Sequence, residues 1–565
     1  MRNTANLIPV YEALAHDIKN LGVDTVFGLM SDDTAMFCAT LDAIGIRFYG
    51  ARHENNACSM AEGYAAATGR LGIAVLGRGP ATANALHGSV YAQRTGSRVL
   101  LIYGAESVSP PAMNGLGPET KYINAQAVLQ AAGIKTHVAS HATTARQALA
   151  DAVGSTLQGA AVLLLPMNVQ FGKINPEHTA PVGADAKAPA IKPPRAAAIS
   201  AAACLLEGAK KPLILAGLGA HRAGAREALM RLADHTGAAL VTTLKAKDMF
   251  RGHPANAGVP GSFSTAGGRR LIEQADCIIA FGAGLNMRTT SYGMSLPADV
   301  RLIQVDVLRS NIGRWFHADV AVIGDARVAA EKLVEALPAR AAADKPLHAP
   351  EVLKRLADFD LADDFEAANT PRTLDVRVAA LELDRLLPER RDLVWDSGNF
   401  LQMIPYIGSP GPDCFKMASD FSSIGMGFGT AMGFACGAPD RPTVFLCGDG
   451  SFFMNMGEIE TVAREDIPLV IVVLNDCVYG AEVHYLKMRE MPVNKSVFLD
   501  IDLAPVAEAF GFQTATVRTV EDLRTLAPLL AKPEGPILID VKINGNIPAA
   551  FLLEGIEHEK RAKAG

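Results

Sequence analysis

GDGSFFMNMGEIETVAREDIPLVIVVLND, residues 448–476, decides how the rest of the chain is read. Locally, PTVFLC (442–447) is a strand that ends at Gly448-Asp449-Gly450, MGEIETVARE (456–465) is helical, and PLVIVVL (468–474) is a second strand that ends at Asn475-Asp476. Short apolar strands joined through a helix pair in parallel. Ligands of open parallel sheets bind beyond the carboxyl ends of the strands, so Asp449 and Asp476 should face one crevice. Two carboxylates there repel unless a cation sits between them, and hard oxygen ligands suit Mg²⁺. Glycines on both sides of Asp449 let the backbone approach a bulky anion, and Ser451 with the following helix start can donate to phosphate oxygens. The expectation is a magnesium-bridged diphosphate, set against the plainer alternative that Asp449 caps a turn.

Working outward, the same alternation recurs. Strands at TVFGLM, IRFYGA, GIAVLG, RVLLIYG and AAVLLLP alternate with helices over VYEALAHDIKNLG and NACSMAEGYAAATG. A second set is KKPLILAGLGA, AALVTTL, ADCIIAFGAG and VRLIQVDV; a third is DLVWDSG, TVFLCGD, LVIVVLN and PILIDVKI. The expected fold is α/β, with three doubly wound parallel-sheet domains over 1–172, 190–340 and 370–550 and a C-terminal tail at 551–565. The Pro-, Ala- and Lys-rich stretch at 171–196 reads as a linker.

Composition narrows the function classes. With 565 residues, 49% of them hydrophobic and 20% charged, the chain needs more than one core. A net charge of -6 offers no field for nucleic acid or an anionic membrane surface. LVIVVL is too short to span a bilayer, and the N-terminus shows no export signal. Eight scattered cysteines without a CxxC pair read as reduced thiols in a cytoplasmic protein.

GDG, 24 residues, then Asn475-Asp476 resembles the signature of thiamine diphosphate (ThDP) enzymes of the acetohydroxyacid synthase and pyruvate decarboxylase group. The resemblance implies a pyrimidine-binding first domain, a central Rossmann-like domain and a diphosphate-binding third domain, with ThDP and Mg²⁺ as cofactors. It makes Asp449, Asp476 and the Val478 carbonyl metal ligands, with Asp476 replacing the usual Asn. RFYGARHENNACSMAEGYAAATG (47–69) matches a family block in which Glu54 is the carboxyl group on the cofactor's aminopyrimidine, a role that partial burial favours. A helix-start acid is the structural alternative for Glu54. GRGPATANALHG (77–88), DSGNF (396–400) and SSIGMGFGTAMGFACGAPDR (422–441) extend the likeness over nearly the whole chain. It assigns Gly398, Asn399, Met426, Gly448, Gly450, Ser451, Tyr479 and Gly480 to the cofactor. Met426 is the bulky apolar residue that props ThDP in its bent form, or alternatively a core methionine.

The reaction is read from fewer residues. Asp32 in VFGLMSDDTAMF and Glu482 in NDCVYGAEVHYLK match catalytic carboxylates of the decarboxylases, yet the chain has no His-His pair. A helix N-cap in SDDT and a solvated helix residue are the respective alternatives. Asn84, Ala481 and Tyr485 are assigned to the substrate. The resemblance implies 2-oxo acid decarboxylation with carboligation, as in acetolactate synthase, or simple decarboxylation to an aldehyde; the substrate is a 2-oxo acid or a small 1,2-dicarbonyl. FGAGLNMRTT (281–290) resembles a flavin-contacting segment in which Arg288 is retained but Gly284, Asn286 and Met287 depart, which leaves FAD open. GLGAHRAG (217–224) is a glycine-rich turn, and no GxGxxG supports a nucleotide-dependent oxidoreductase. Family members build each active site from two subunits, which implies a homodimer or homotetramer.

Overall fold

The structure, a computed structural model, describes residues 7–107, 120–178 and 191–564. The first sheet has six parallel strands: Thr25–Leu29, Arg47–Gly50, Gly72–Leu76, Val99–Ala105, Lys135–Val138 and Ala161–Pro166. The central sheet has five, Pro212–Ala216, Ala239–Thr242, Cys277–Phe281, Arg301–Asp306 and Val320–Ile323. The third has six, Asp392–Trp395, Phe415–Met417, Thr443–Gly448, Leu469–Asn475, Gln513–Val517 and Ile537–Lys542. Three parallel-sheet units clad in helices are the expected α/β architecture.

Numbered by chain order within each sheet, the first and third sheets share one strand order, 2-1-3-4-6-5, and the central sheet runs 2-1-3-4-5. The outer two domains are thus topological copies, although the sequence has no visible repeat. In these three sheets four strands were absent from the sequence reading, Lys135–Val138, Val320–Ile323, Phe415–Met417 and Gln513–Val517, and all four are sheet edges. An edge strand is covered on one side only, so it need not carry the continuous apolar run that marks a central parallel strand. Residues 179–190 of the presumed linker lie outside the described residues, and Lys173–Ile174 at its start pairs antiparallel with Ile8–Pro9. The segment read as a tail is the helix Ala550–Ala564, which reaches the central domain through Ser262 and Ser291, both donating to Glu554.

The first and third domains share one core. Met60, Tyr64 and Leu101 pack in the same cluster as Met432, Phe434 and Phe445, whereas the central domain has two clusters of its own and lends Val259 and Phe263 to the third domain's second cluster. The contact is made by two helices, Glu54–Thr68 and Met426–Gly437, whose small residues let the backbones close. A Cβ on Gly433 would lie 1.9 Å from the Met60 carbonyl oxygen, and one on Gly63 would lie 2.0 Å from that of Thr430. Gly433→Val should therefore lower unfolding stability by about 1–3 kcal/mol, the usual cost of overpacking, read from a urea or thermal transition. No helix among the described residues is long and apolar enough to cross a membrane. All eight cysteines are free.

Candidate active site

Strands Thr443–Gly448 and Leu469–Asn475 are neighbours, with Gly448 beside Leu474. Asp449 and Asp476 each follow directly, so both lie just beyond the carboxyl edge of the sheet, where open parallel sheets bind their ligands. Asp449 opens a short helix, Asp449–Met454, and is 3% exposed. Burial pushes its carboxyl up to about 6, and its hydrogen bond to Asp476 opposes that rise. Burial, and then the charge of Asp449, hold Asp476 well above the usual carboxylate range. Two neighbouring acids whose carboxyls are both held above the usual range form a site at which a divalent cation can take the place of protons.

The turn after Asp476 is shaped for this. Cys477 sits at φ 59, and the Tyr479 N–H donates to Ser496 O at 2.9 Å. Among the described residues no hydrogen-bond donor reaches the Val478 carbonyl. A Cβ on Gly480 would stand 2.9 Å from Asn399 Cβ and 3.1 Å from Asp476 Oδ2, and one on Gly450 would stand 2.6 Å from the Tyr479 ring. Side chains at those positions would fill the cradle. Asn399 donates to Ile547 O and accepts from Ala549 N, both at 2.8 Å, so its amide fastens the 547–549 loop.

Glu54 begins its helix at the end of the turn that follows strand Arg47–Gly50, 9% exposed, and its Oε2 accepts from Asn84 Nδ2 at 3.1 Å. Asn84, assigned to the substrate, thus orients Glu54. Glu458, ten residues past Gly448, accepts from the backbone N–H of Arg52 and His53 and from Asn56 Nδ2. The GDG segment thereby grips the turn that presents Glu54. No hydrogen bond or ion pair among the described residues joins Glu54 to Asp449 or Asp476. Met426 is 2% exposed against Tyr91 and Ala418.

The reaction-choosing residues are more scattered. Asp32 is exposed, 2.5 Å from Lys121 Nζ and 3.8 Å from Arg78 Nη2, and the Lys121 hydrogen bond lowers its pKa. It does not cap the next helix, whose N-cap is Thr34. Its neighbour Asp33 is buried at 1% exposure with neither carboxylate oxygen hydrogen-bonded among the described residues. Glu482 and Tyr485 are exposed on helix Gly480–Lys487, with the Tyr485 ring 3.6 Å from the Arg489 guanidinium, and Ala481 is half-buried beside them. His484 turns inward toward the backbone of Gly545 and Ile547.

Sequence reading missed a polar network behind Asp476, centred on the buried Lys542 and Asp540 and reaching the surface at Asp500 and Asp502. Asn475 Nδ2 donates to Asp540 at 2.9 Å, and Lys542, 2% exposed, reaches Asp500, Asp502 and Asp540 at 2.9, 3.3 and 3.2 Å. The signal was present: an Asp and a Lys in the apolar strand ILIDVK need partners when buried.

The flavin-like segment is otherwise engaged. Arg288 donates to Phe551 O at 3.1 Å and stacks 4.5 Å from the Phe551 ring, and Asn286 caps the helix Met287–Thr290. A Cβ on Gly217 would lie 2.2 Å from Gly282 O, so the GLG glycines serve the close approach of two strand ends. This donor set does not fit a flavin. The crevice at Asp449 does fit a magnesium diphosphate: two carboxylates and a spare carbonyl leave coordination positions for phosphate oxygens and water. No group of three or more His, Cys, Asp or Glu among the described residues competes as a metal centre.

Two outer domains of one topology flanking a Rossmann-like centre, with this crevice, define a class, and family comparison agrees. Models of the thiamine pyrophosphate enzyme N-terminal TPP-binding, central and C-terminal TPP-binding domains match residues 8–125, 199–333 and 396–541. The chain belongs to the thiamine pyrophosphate enzyme family. Among individual proteins, it is 26% identical over 556 residues to a probable acetolactate synthase large subunit of Methanocaldococcus jannaschii, covering 94% of this chain and 91% of that one. It is 27% identical over 564 residues to a sulfoacetaldehyde acetyltransferase of Castellaniella defragrans, with coverage of 94% and 91%. It is 30% identical over 476 residues to a probable 2-ketoarginine decarboxylase of Pseudomonas aeruginosa, with coverage of 83% and 82%.

Proposed function

We propose that the protein is a ThDP- and Mg²⁺-dependent enzyme that breaks and forms a C–C bond beside a carbonyl, decarboxylating a 2-oxo acid and passing the remainder to a second carbonyl. The observation that carries this reading is the placement of Asp449 and Asp476 just beyond the ends of adjacent parallel strands, with Gly448 beside Leu474. In this reading Asp449, Asp476 and the Val478 carbonyl hold Mg²⁺, and the backbone of Gly398, Gly448 to Ser451, Tyr479 and Gly480 surrounds the diphosphate. Met426 supports the cofactor's middle, and Glu54, steadied by Asn84, exchanges a proton with the aminopyrimidine nitrogen. Bound there, ThDP supplies the electron sink for the bond broken next to the carbonyl. Asp32, kept ionised by Lys121, and Glu482 are the groups assigned to proton transfer at the substrate; Ala481 and Tyr485 shape the pocket.

Simple decarboxylation to an aldehyde is the second reading, favoured by the similarity to a protein named as a decarboxylase. A second copy of the chain completes the site, as homodimer or homotetramer. Exposed Phe453, Met454, Tyr485, Met491, Phe498 and Leu499 on the third domain support a covering partner. The purified protein incubated with ThDP, Mg²⁺ and a panel of 2-oxo acids should release CO₂; a C–C-joined product selects carboligation and a free aldehyde selects decarboxylation. No CO₂ and no new product with any 2-oxo acid would overturn the reading. Asp476→Asn should keep cofactor binding and turnover within about tenfold, because an amide oxygen still coordinates and one buried charge is removed. Steady-state kinetics at saturating Mg²⁺ checks this.

A further inference from the structure

Asp396 stands one residue beyond strand Asp392–Trp395, fully buried. Its Oδ1 accepts from Ser397 N at 2.6 Å and from Gly425 N at 3.1 Å; its Oδ2 accepts from Gly425 N and Gly427 N, each at 3.0 Å. These amides bracket Met426, the first residue of helix Met426–Gly437. The helix's own N-cap, Gly425 at φ 95, has no side chain with which to cap it. A carboxylate from another strand therefore does so, and negative charge at a helix start is favourable. The fit is tight: a Cβ on Gly427 would lie 2.8 Å from Asp396 Oδ2 and 2.7 Å from the Phe445 ring. On the other side Asn455 Nδ2 donates to Gly425 O at 2.7 Å, and Met426 rests on Tyr91 of the first domain, whose hydroxyl meets Thr430 Oγ1 at 3.0 Å.

An uncharged cap would be cheaper here. Burial dominates the carboxyl and pushes it up to about 6 even against its backbone donors. What a carboxylate offers over an amide is two acceptors, and both are used; asparagine would turn an NH₂ toward one of the backbone N–H groups.

We propose that Asp396 is a positioning residue for the cofactor, clamping the backbone on both sides of Met426 so that its side chain is held where the middle of ThDP must bend. This rests on the reading of Met426 given above. The clamp acts through Met426 and not on the diphosphate, so the two ends of the cofactor should respond differently.

The test uses the full-length protein. Hydrogen–deuterium exchange without cofactor reads the Gly425 and Gly427 amides, and calorimetry reads affinity for Mg²⁺-ThDP and for Mg²⁺-pyrophosphate. In Asp396→Asn the two amides should exchange faster and ThDP affinity should fall about tenfold, the scale of losing a charge-assisted hydrogen bond, while pyrophosphate affinity stays at the wild-type value. Met426→Ala should show the same ThDP loss with unchanged exchange. If Asp396→Asn does not fold, Asp396→Ser, with one acceptor and no charge, is read in its place. Unchanged amide exchange, or equal losses for ThDP and pyrophosphate, would overturn the clamp. Failure of the wild type to bind ThDP would overturn the functional reading, while the exchange data would still judge the contact.

Discussion

Glu54→Gln lowers turnover by about 10²–10⁴-fold, the range that a positioned acid–base group contributes, and leaves ThDP affinity nearly unchanged. The substitution keeps the side-chain shape and an oxygen that can accept from Asn84 Nδ2, now 3.1 Å from Glu54 Oε2. It removes only the exchangeable proton. The turn before Glu54 is held by its backbone amides on Glu458, so the helix start should not move. Steady-state kinetics with parallel calorimetry separates the two effects, and near-normal turnover would refute the role assigned to Glu54.

Asp449→Ala acts at the other end. Cofactor affinity in the presence of Mg²⁺ should fall by more than about 100-fold, since even outer partners of metal ligands are worth 10–100-fold. The fold without cofactor should not suffer in proportion. Because burial raises the Asp449 carboxyl to about 6 from 3.8, its ionisation works against the folded state. That penalty is absent below the unfolded value, grows as pH rises to about 6, and persists at neutral pH. A variant that loses cofactor binding yet melts near the wild-type cofactor-free temperature is the expected result; equal loss of both would mean that Asp449 is a structural turn residue.

Central strands were readable because burial on both faces writes itself as an unbroken apolar run, as in LVIVVL and AVLLLP. Four of the six edge strands of the large sheets were not, since KTHV or QTATV carries no such mark, whereas the edge strands in IRFYGA and AALVTTL were apolar enough to read. The duplication of the outer domains is a property of strand order alone and leaves no trace in the residues. At the site, glycines and carboxylates with fixed spacing were legible because the chemistry demands those types. Contacts between distant segments were not: that Asn84 holds Glu54, that Asp396 caps a helix from another strand, and that Arg288 serves the C-terminal helix all depend on how the domains meet. Asp32 and Asp33 show the limit most sharply. Adjacent identical residues differ completely in burial, which the motif SDDT cannot express.

In the proposed holoenzyme, Asp449 and Asp476 grip a magnesium diphosphate while Glu54 serves the far end of the same molecule. A crystal structure of the protein grown with ThDP and Mg²⁺ tests it most directly. Expected are a metal ion bound by both carboxylates and the Val478 carbonyl, a diphosphate over Gly448 to Ser451, and Glu54 from a second copy at the aminopyrimidine. An empty crevice at saturating cofactor, or ThDP bound elsewhere on the chain, would contradict it.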